Sequence, residues 1–176
     1  MELAPEQIEL VPENLKLRDY RVPMRARLRP SKRMPNIITL RDATTDDAAF
    51  ALHVTEACMR AYAEQTWGRW NGRADFDPAV DMIVERDGRG IGLMGLSIDS
   101  RRNSWVLEKL YLLPAYQRQG IGSFLLRNLI EAAKSERAVV RLTVLEVNPA
   151  RRFYERHGFI LTHTISPRHH MEWRLT

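Results

Sequence analysis

The 176-residue chain is predicted to form an α/β (α+β) fold: a single domain with one mixed, mostly antiparallel sheet flanked by helices, behind a mobile N-terminal tail. Three observations point there. With 44% hydrophobic and 28% charged residues, the chain can build one real core without staples. Its elements read in the order strand, helix, three strands, helix, strand, helix, two strands, which suits hairpins more than repeated crossovers. The stretch Leu110 to Ser123, LYLLPAYQRQGIGS, reads as a buried strand, a glycine turn and a helix start.

Residues 1–35 carry Pro5, Pro12, Pro23, Pro30 and Pro35 and crowd Lys16, Arg18, Arg21, Arg25, Arg27, Arg29, Lys32 and Arg33 into their second half. Proline at such intervals shortens every candidate element, and the apolar content is too thin to offset the entropy of ordering. The segment is read as a basic, disordered extension, with residues 36–176 as the folded domain and Met34 as a natural start for it. Of the net charge of +5, this segment holds eight basic residues against five acidic, leaving nineteen against seventeen in the rest. A nearly neutral body without a basic stripe argues against nucleic acid as its partner.

Ile37 to Arg41 is a short β-branched strand, and Asp42 to Asp47 caps a helix with Phe50, Val54, Ala57 and Cys58 on one face. Met59 to Trp70 follows as a short connection, rich in aromatics and ended by Gly68 and Gly72. Ala79 to Glu85 and Ile91 to Ile98 form a hairpin about Asp87-Gly88, and Trp105 to Leu113 is the next strand. After a helix over Phe124 to Ala133, Ala138 to Val147 is a strand stopped by Asn148-Pro149. Ala150 to His157 is a short helix, and Phe159 to Ile165 and His169 to Leu175 close as a hairpin around Ser166-Pro167. No apolar run reaches membrane-helix length, so no membrane is expected. Cys58 is the only cysteine, which excludes an internal disulfide and a cysteine-based metal site and suits a cytoplasmic location; no metal is expected.

Chemistry concentrates where Gln117, Arg118, Gln119, Gly120, Ile121, Gly122 and Ser123 open the helix. Two glycines one residue apart let a ligand approach the main chain, and the first helical turn offers unpaired N–H groups and a positive dipole end, so a phosphate belongs there. The Walker lysine is missing and the three-glycine dinucleotide pattern is incomplete. The stretch instead resembles the Q/R-x-x-G-x-G/A motif of the GNAT superfamily of N-acetyltransferases, with Leu112-Leu113-Pro114-Ala115-Tyr116 resembling its lead-in. Gln117 and Arg118 depart from the commonest R-G-x-G-x-G/A form. Asn148 to Phe159 resembles the family's N-x-x-A-x-x-x-Y-x-x-x-G-F signature.

That resemblance implies acetyl-CoA as co-substrate, an amine acceptor, and direct acetyl transfer. It implies a splayed strand whose Leu110 and Leu112 main-chain groups meet the pantetheine arm and thioester, with Asn148 bonding the same arm. Tyr154 would be the general acid. Glu108, placed by period-two alternation on the side of Leu110 and Leu112, is the expected base, with Glu64 as the alternative. Tyr62, Glu64 and Trp67 would bind the acceptor, in a region the family uses as a pocket wall. Homodimerisation is common in the superfamily and stays open here. A non-catalytic acyl-CoA-binding module is the alternative function; it would keep the glycines but have no use for Tyr154.

Overall fold

The computed structural model describes residues 38–99 and 101–175, so the expected extension and its boundary near Met34 lie outside the described residues. Seven strands form one sheet in the order β1-β2-β3-β4-β5-β7-β6. They are β1 (Ile38–Asp42), β2 (Asp81–Arg86), β3 (Arg89–Asp99), β4 (Ser104–Leu112), β5 (Val139–Leu145), β6 (Ile160–Ile165) and β7 (Arg168–Trp173). Only β4 and β5 run parallel, as their connection through a helix requires. The helices are α1 (Ala48–Trp67), α2 (Ile121–Glu136) and α3 (Ala150–Glu155).

Alternation along the strands divides the core between two faces. Met82, Val84, Met94, Leu96, Leu107, Leu112, Val140, Leu142, Val144 and Met171 pack with α2 on one face, and Phe153 and Tyr154 of α3 join them. On the other face Ile83 and Leu93 pack with Ala51 and Val54 of α1, flanked by Cys58 and Tyr111. The β2–β3 hairpin turns through Asp87 and Gly88, both at positive φ, the conformation that a two-residue hairpin needs.

Two readings of the sequence differ from the structure here. The first helix does not stop near Cys58: it runs unbroken through the aromatic stretch to Trp67, where Gly68 in the left-handed conformation donates its N–H to Glu64 O. Its buried face uses Ala51, Val54, Thr55 and Ala63, while Ala57 is exposed. The second difference is in β4. Leu107 pairs with Leu96 and Lys109 with Gly95, so Glu108 is an extra residue in a bulge. Leu107 lies on the α2 face, and after the bulge so do Leu110 and Leu112. Glu108 therefore does not share their face. A Cβ at Gly95 would lie 3.3 Å from Glu108 Cβ and 3.4 Å from Lys109 Cγ, which puts both side chains toward α1.

Candidate active site

β4 and β5 are paired only over Ser104–Leu107 and Val139–Leu142. Beyond that point each keeps its outer neighbour, β3 or β7, and the two separate. Leu113 donates its N–H to Ile91 O on β3. Since successive residues of a strand turn their main-chain groups to opposite sides, those of Leu110 and Leu112 face the opening. Leu112 O confirms this direction, accepting from Gln117 Nε2 at 2.7 Å and from Cys58 Sγ at 3.2 Å. A cavity of about 650 Å³ fills the opening, walled by Tyr62 and Met59 of α1 on one face and by Gly122, Ser123 and Tyr154 on the other.

The turn after β4 is built to expose main chain. Arg118 and Gly120 both take positive φ, of 58° and 82°. A Cβ on Gly120 would meet nothing within 4 Å, and one on Gly122 would meet only Phe153 and Leu112, at 3.6 Å or more. Gly120 thus leaves open space, and neither glycine is there to relieve crowding. Gln117 ties the turn to Leu112 O, while Gln119 donates to Ala115 O at 2.7 Å and accepts from Arg86 Nη1 at 2.8 Å. These two side chains hold the loop's shape, and the N–H groups of Ile121, Gly122 and Ser123 open the 16-residue α2 without helical partners. An anion seated here meets aligned dipoles and backbone donors.

Asn148 Oδ1 accepts from Ala150 N at 2.9 Å and so shapes the entry to α3. Tyr154 lies half-buried on that helix, with Phe153 at 5.2 Å and Phe159 at 5.8 Å between ring centroids, both edge-on. Burial, then the neighbouring Tyr111, push its phenol well above the ordinary tyrosine range, so it holds its proton. Burial likewise pushes Tyr111 up to about 12 and Cys58 up to about 11. Glu108 lines the cavity, and its Oε1 accepts from Ser97 Oγ at 2.6 Å.

The structure brings together Glu108, Leu110, Leu112, Gln117, Arg118, Gly120, Gly122, Ser123, Asn148, Tyr154 and Tyr62 around one cavity. Gln119 and Ile121 belong to the same turn, with Ile121 buried beneath it. Glu64 is not brought in: it pairs with Arg60 at 2.8 Å on the outer side of α1. Trp67 lies under Arg168, whose guanidinium carbon is 5.8 Å from the indole centroid. Sequence reasoning missed Tyr111, Arg156 and Arg168, which also line the cavity. Alternation from Leu110 and Leu112 would have marked Tyr111 as facing α1; no local signal marks the two arginines. No group of three or more His, Cys, Asp or Glu that could hold a metal occurs among the described residues.

Comparisons with known proteins place these features. The chain is 29% identical over 146 residues to a mycothiol acetyltransferase of Acidimicrobium ferrooxidans, covering 73% of this chain and 44% of that protein. It is 35% identical over 107 residues to the spore coat polysaccharide biosynthesis protein SpsD of Bacillus subtilis, covering 59% of this chain and 35% of that protein. It thus spans less than half the length of either relative. Its fold resembles that of the PaiA N-acetyltransferase of Thermoplasma acidophilum, solved in complex with coenzyme A, with a TM-score of 0.64 at 21% identity over 79% of this chain and 99% of that one. Residues 44–159, which span strands β2 to β5, the splay and the Tyr154 helix, match the acetyltransferase (GNAT) family, and the chain belongs to it.

Proposed function

We propose that this protein is an acetyl-CoA-dependent N-acetyltransferase acting directly on a primary amine. The observation that carries the reading is the cavity in the β4–β5 opening, which joins an uncovered main-chain cradle at Gly120–Ser123 to a protonated phenol at Tyr154. The cradle fits a pyrophosphate, with Arg118 and Arg156 in the same wall to add charge. The main-chain groups of Leu110 and the N–H of Leu112, whose carbonyl is already taken by Gln117 and Cys58, suit the amide-bearing arm, as does Asn148, whose Nδ2 is taken by no acceptor among the described residues. Acetyl-CoA supplies the acetyl group as a thioester.

The chain's own residues then divide the work. Glu108 accepts, directly or through water, the proton that the acceptor ammonium must lose before its nitrogen can attack. An N–H of β4 stabilises the carbonyl oxygen as charge collects on it. As the C–N bond forms and the C–S bond breaks, Tyr154 gives its proton to the sulfur, and the second proton, shed by the new amide nitrogen, passes through water to restore the phenol. In Tyr154→Phe, kcat should fall by roughly 10²- to 10⁴-fold, the range for a positioned acid, with acetyl-CoA affinity by calorimetry nearly unchanged. Unchanged turnover with intact binding refutes the acid role, and absence of acetyl-CoA binding to the unaltered protein refutes the whole reading. The reading extends to a homodimer, for which exposed Ile160, Leu161 and Ile165 on edge strand β6 offer apolar surface, and to a cytoplasmic location. Sedimentation showing only monomer at high concentration excludes the dimer; cell fractionation checks the location.

A further inference from the structure

The α1 side of the cavity carries opposite charges on its two lips. On the β4 lip, the bulge turns Glu108 toward α1, where Ser97 holds its carboxylate at 2.6 Å. On the other lip stands Arg168, the first residue of β7, paired in register with Leu145 of β5. Met171 packs on the α2 face, and Arg168, an odd number of residues away in the same strand, lies on the opposite one. The exposed Trp67 at the end of α1 supplies an aromatic face beneath its guanidinium. Among the described residues no carboxylate lies within salt-bridge distance of Arg168, and Glu108 is not bonded to it although both line the same cavity.

The phosphate cradle belongs to α2, on the other face, so Arg168 is not part of it. A fork-shaped cation following a turn that Glu146 N ties at Pro167 O, at 3.0 Å, suits a planar anion. Across the opening stands the carboxylate that receives an ammonium. We infer that the acceptor is a small amine bearing a carboxylate in the same molecule, an amino-acid-like zwitterion, with its carboxylate on Arg168 and its amine between Glu108 and the thioester. This rests on the acetyltransferase reading above and names its acceptor class. It disfavours polyamines and aminoglycosides, whose second cation would meet Arg168.

The test uses the full chain, acetyl-CoA and matched acceptor pairs: free amino acids of several side-chain and chain lengths, each against its carboxamide. Thiol release gives kcat/KM, and calorimetry gives acetyl-CoA affinity separately. The carboxylate member should be preferred by about 10- to 100-fold, the range for a charge-assisted pair. Arg168→Gln should abolish that preference through acceptor KM while leaving acetyl-CoA affinity and melting temperature unchanged, and Arg168→Lys should restore part of it. Equal or better use of carboxamides, no turnover of any carboxylate acceptor by protein that binds acetyl-CoA, or a preference that survives Arg168→Gln overturns the inference. Failure to bind acetyl-CoA at all would instead overturn the acetyltransferase reading on which it rests.

Discussion

Lys109→Met should be among the most destabilising single substitutions in the sheet. Lys109 Nζ lies 3.0 Å from both carboxylate oxygens of Asp81, and both side chains are withdrawn from solvent, at 9% and 0% exposure. Methionine keeps most of the apolar stem but removes the charge, leaving a buried carboxylate with the Asp77 N–H, at 3.0 Å, as its remaining donor. An unpaired buried charge costs about 3 to 5 kcal/mol, or a fall in Tm of roughly 6 to 20 °C in a domain of this size. The companion is Asp81→Asn with Lys109→Met. The amide still accepts from Asp77 while the lone charge is gone, so the double variant should recover to within about 2 kcal/mol of the parent. Calorimetric melting and urea titration of the three proteins check this. A Lys109→Met cost under about 1 kcal/mol, or a double variant no more stable than Lys109→Met, would refute the claim that Lys109 compensates a buried Asp81 charge.

Thr55 Oγ1 is buried on α1 with no partner among the described residues, so Thr55→Val should be neutral or stabilise by about 1 kcal/mol; a loss of that size in urea titration would show an unseen partner. A Cβ at Gly92 would lie 2.1 Å from Tyr111 O and 3.2 Å from Leu112 Cα, both backbone. Gly92→Ala must therefore displace β4, lowering stability by about 1 to 3 kcal/mol and raising the KM for acetyl-CoA; an unchanged melt and KM would contradict the close approach. Because burial raises the Tyr154 phenol, its proton-donating form persists above the ordinary tyrosine pKa of about 10. Turnover should thus rise as the acceptor amine deprotonates and show no falling limb below about pH 10; a fall centred near pH 9 that Tyr154→Phe removes would contradict this.

What could be read in the sequence was what the backbone fixes locally. The turn at Gln117 to Ser123 declares itself because φ > 0 at Gly120 and an open helix start are properties of a few adjacent residues. The order of strands and the hairpin at Asp87-Gly88 are legible for the same reason. The continuous α1 was not, because it buries small residues, Ala51 and Ala63, and the break that matters is Gly68, beyond its aromatics. The face of Glu108 was misread because alternation assumes an unbroken ladder, and the extra residue opposite Gly95 and Leu96 is visible only once β3 and β4 are paired. Arg168 carried no signal at all: its place depends on β5–β7 register and on Trp67, roughly a hundred residues away in sequence.

The two irregularities of β4 do different work, and the site requires both. Loss of pairing with β5 after Leu107 frees main-chain donors, which in an isolated strand would be mobile and poorly aimed. Here β4 stays bonded to β3 through Leu112, and β5 stays bonded to β7 through Leu145, so each lip is held from its outer side. The opening is thus braced on both sides, and its donors point into it without a ligand, which is the condition for stabilising developing charge without reorganisation. The bulge then rotates one residue of the same strand, so that Leu110 and Leu112 remain in the α2-side core while Glu108 faces the α1 side of the cavity. An unbulged β4 would send Glu108 into the packed face with Leu107's neighbours or turn Leu110 and Leu112 out of it. The Glu108 carboxylate on the α1 face and the freed main-chain groups at the open edge line one cavity, while the Leu110 and Leu112 side chains stay in the core, because β4 contains one residue more than its partner.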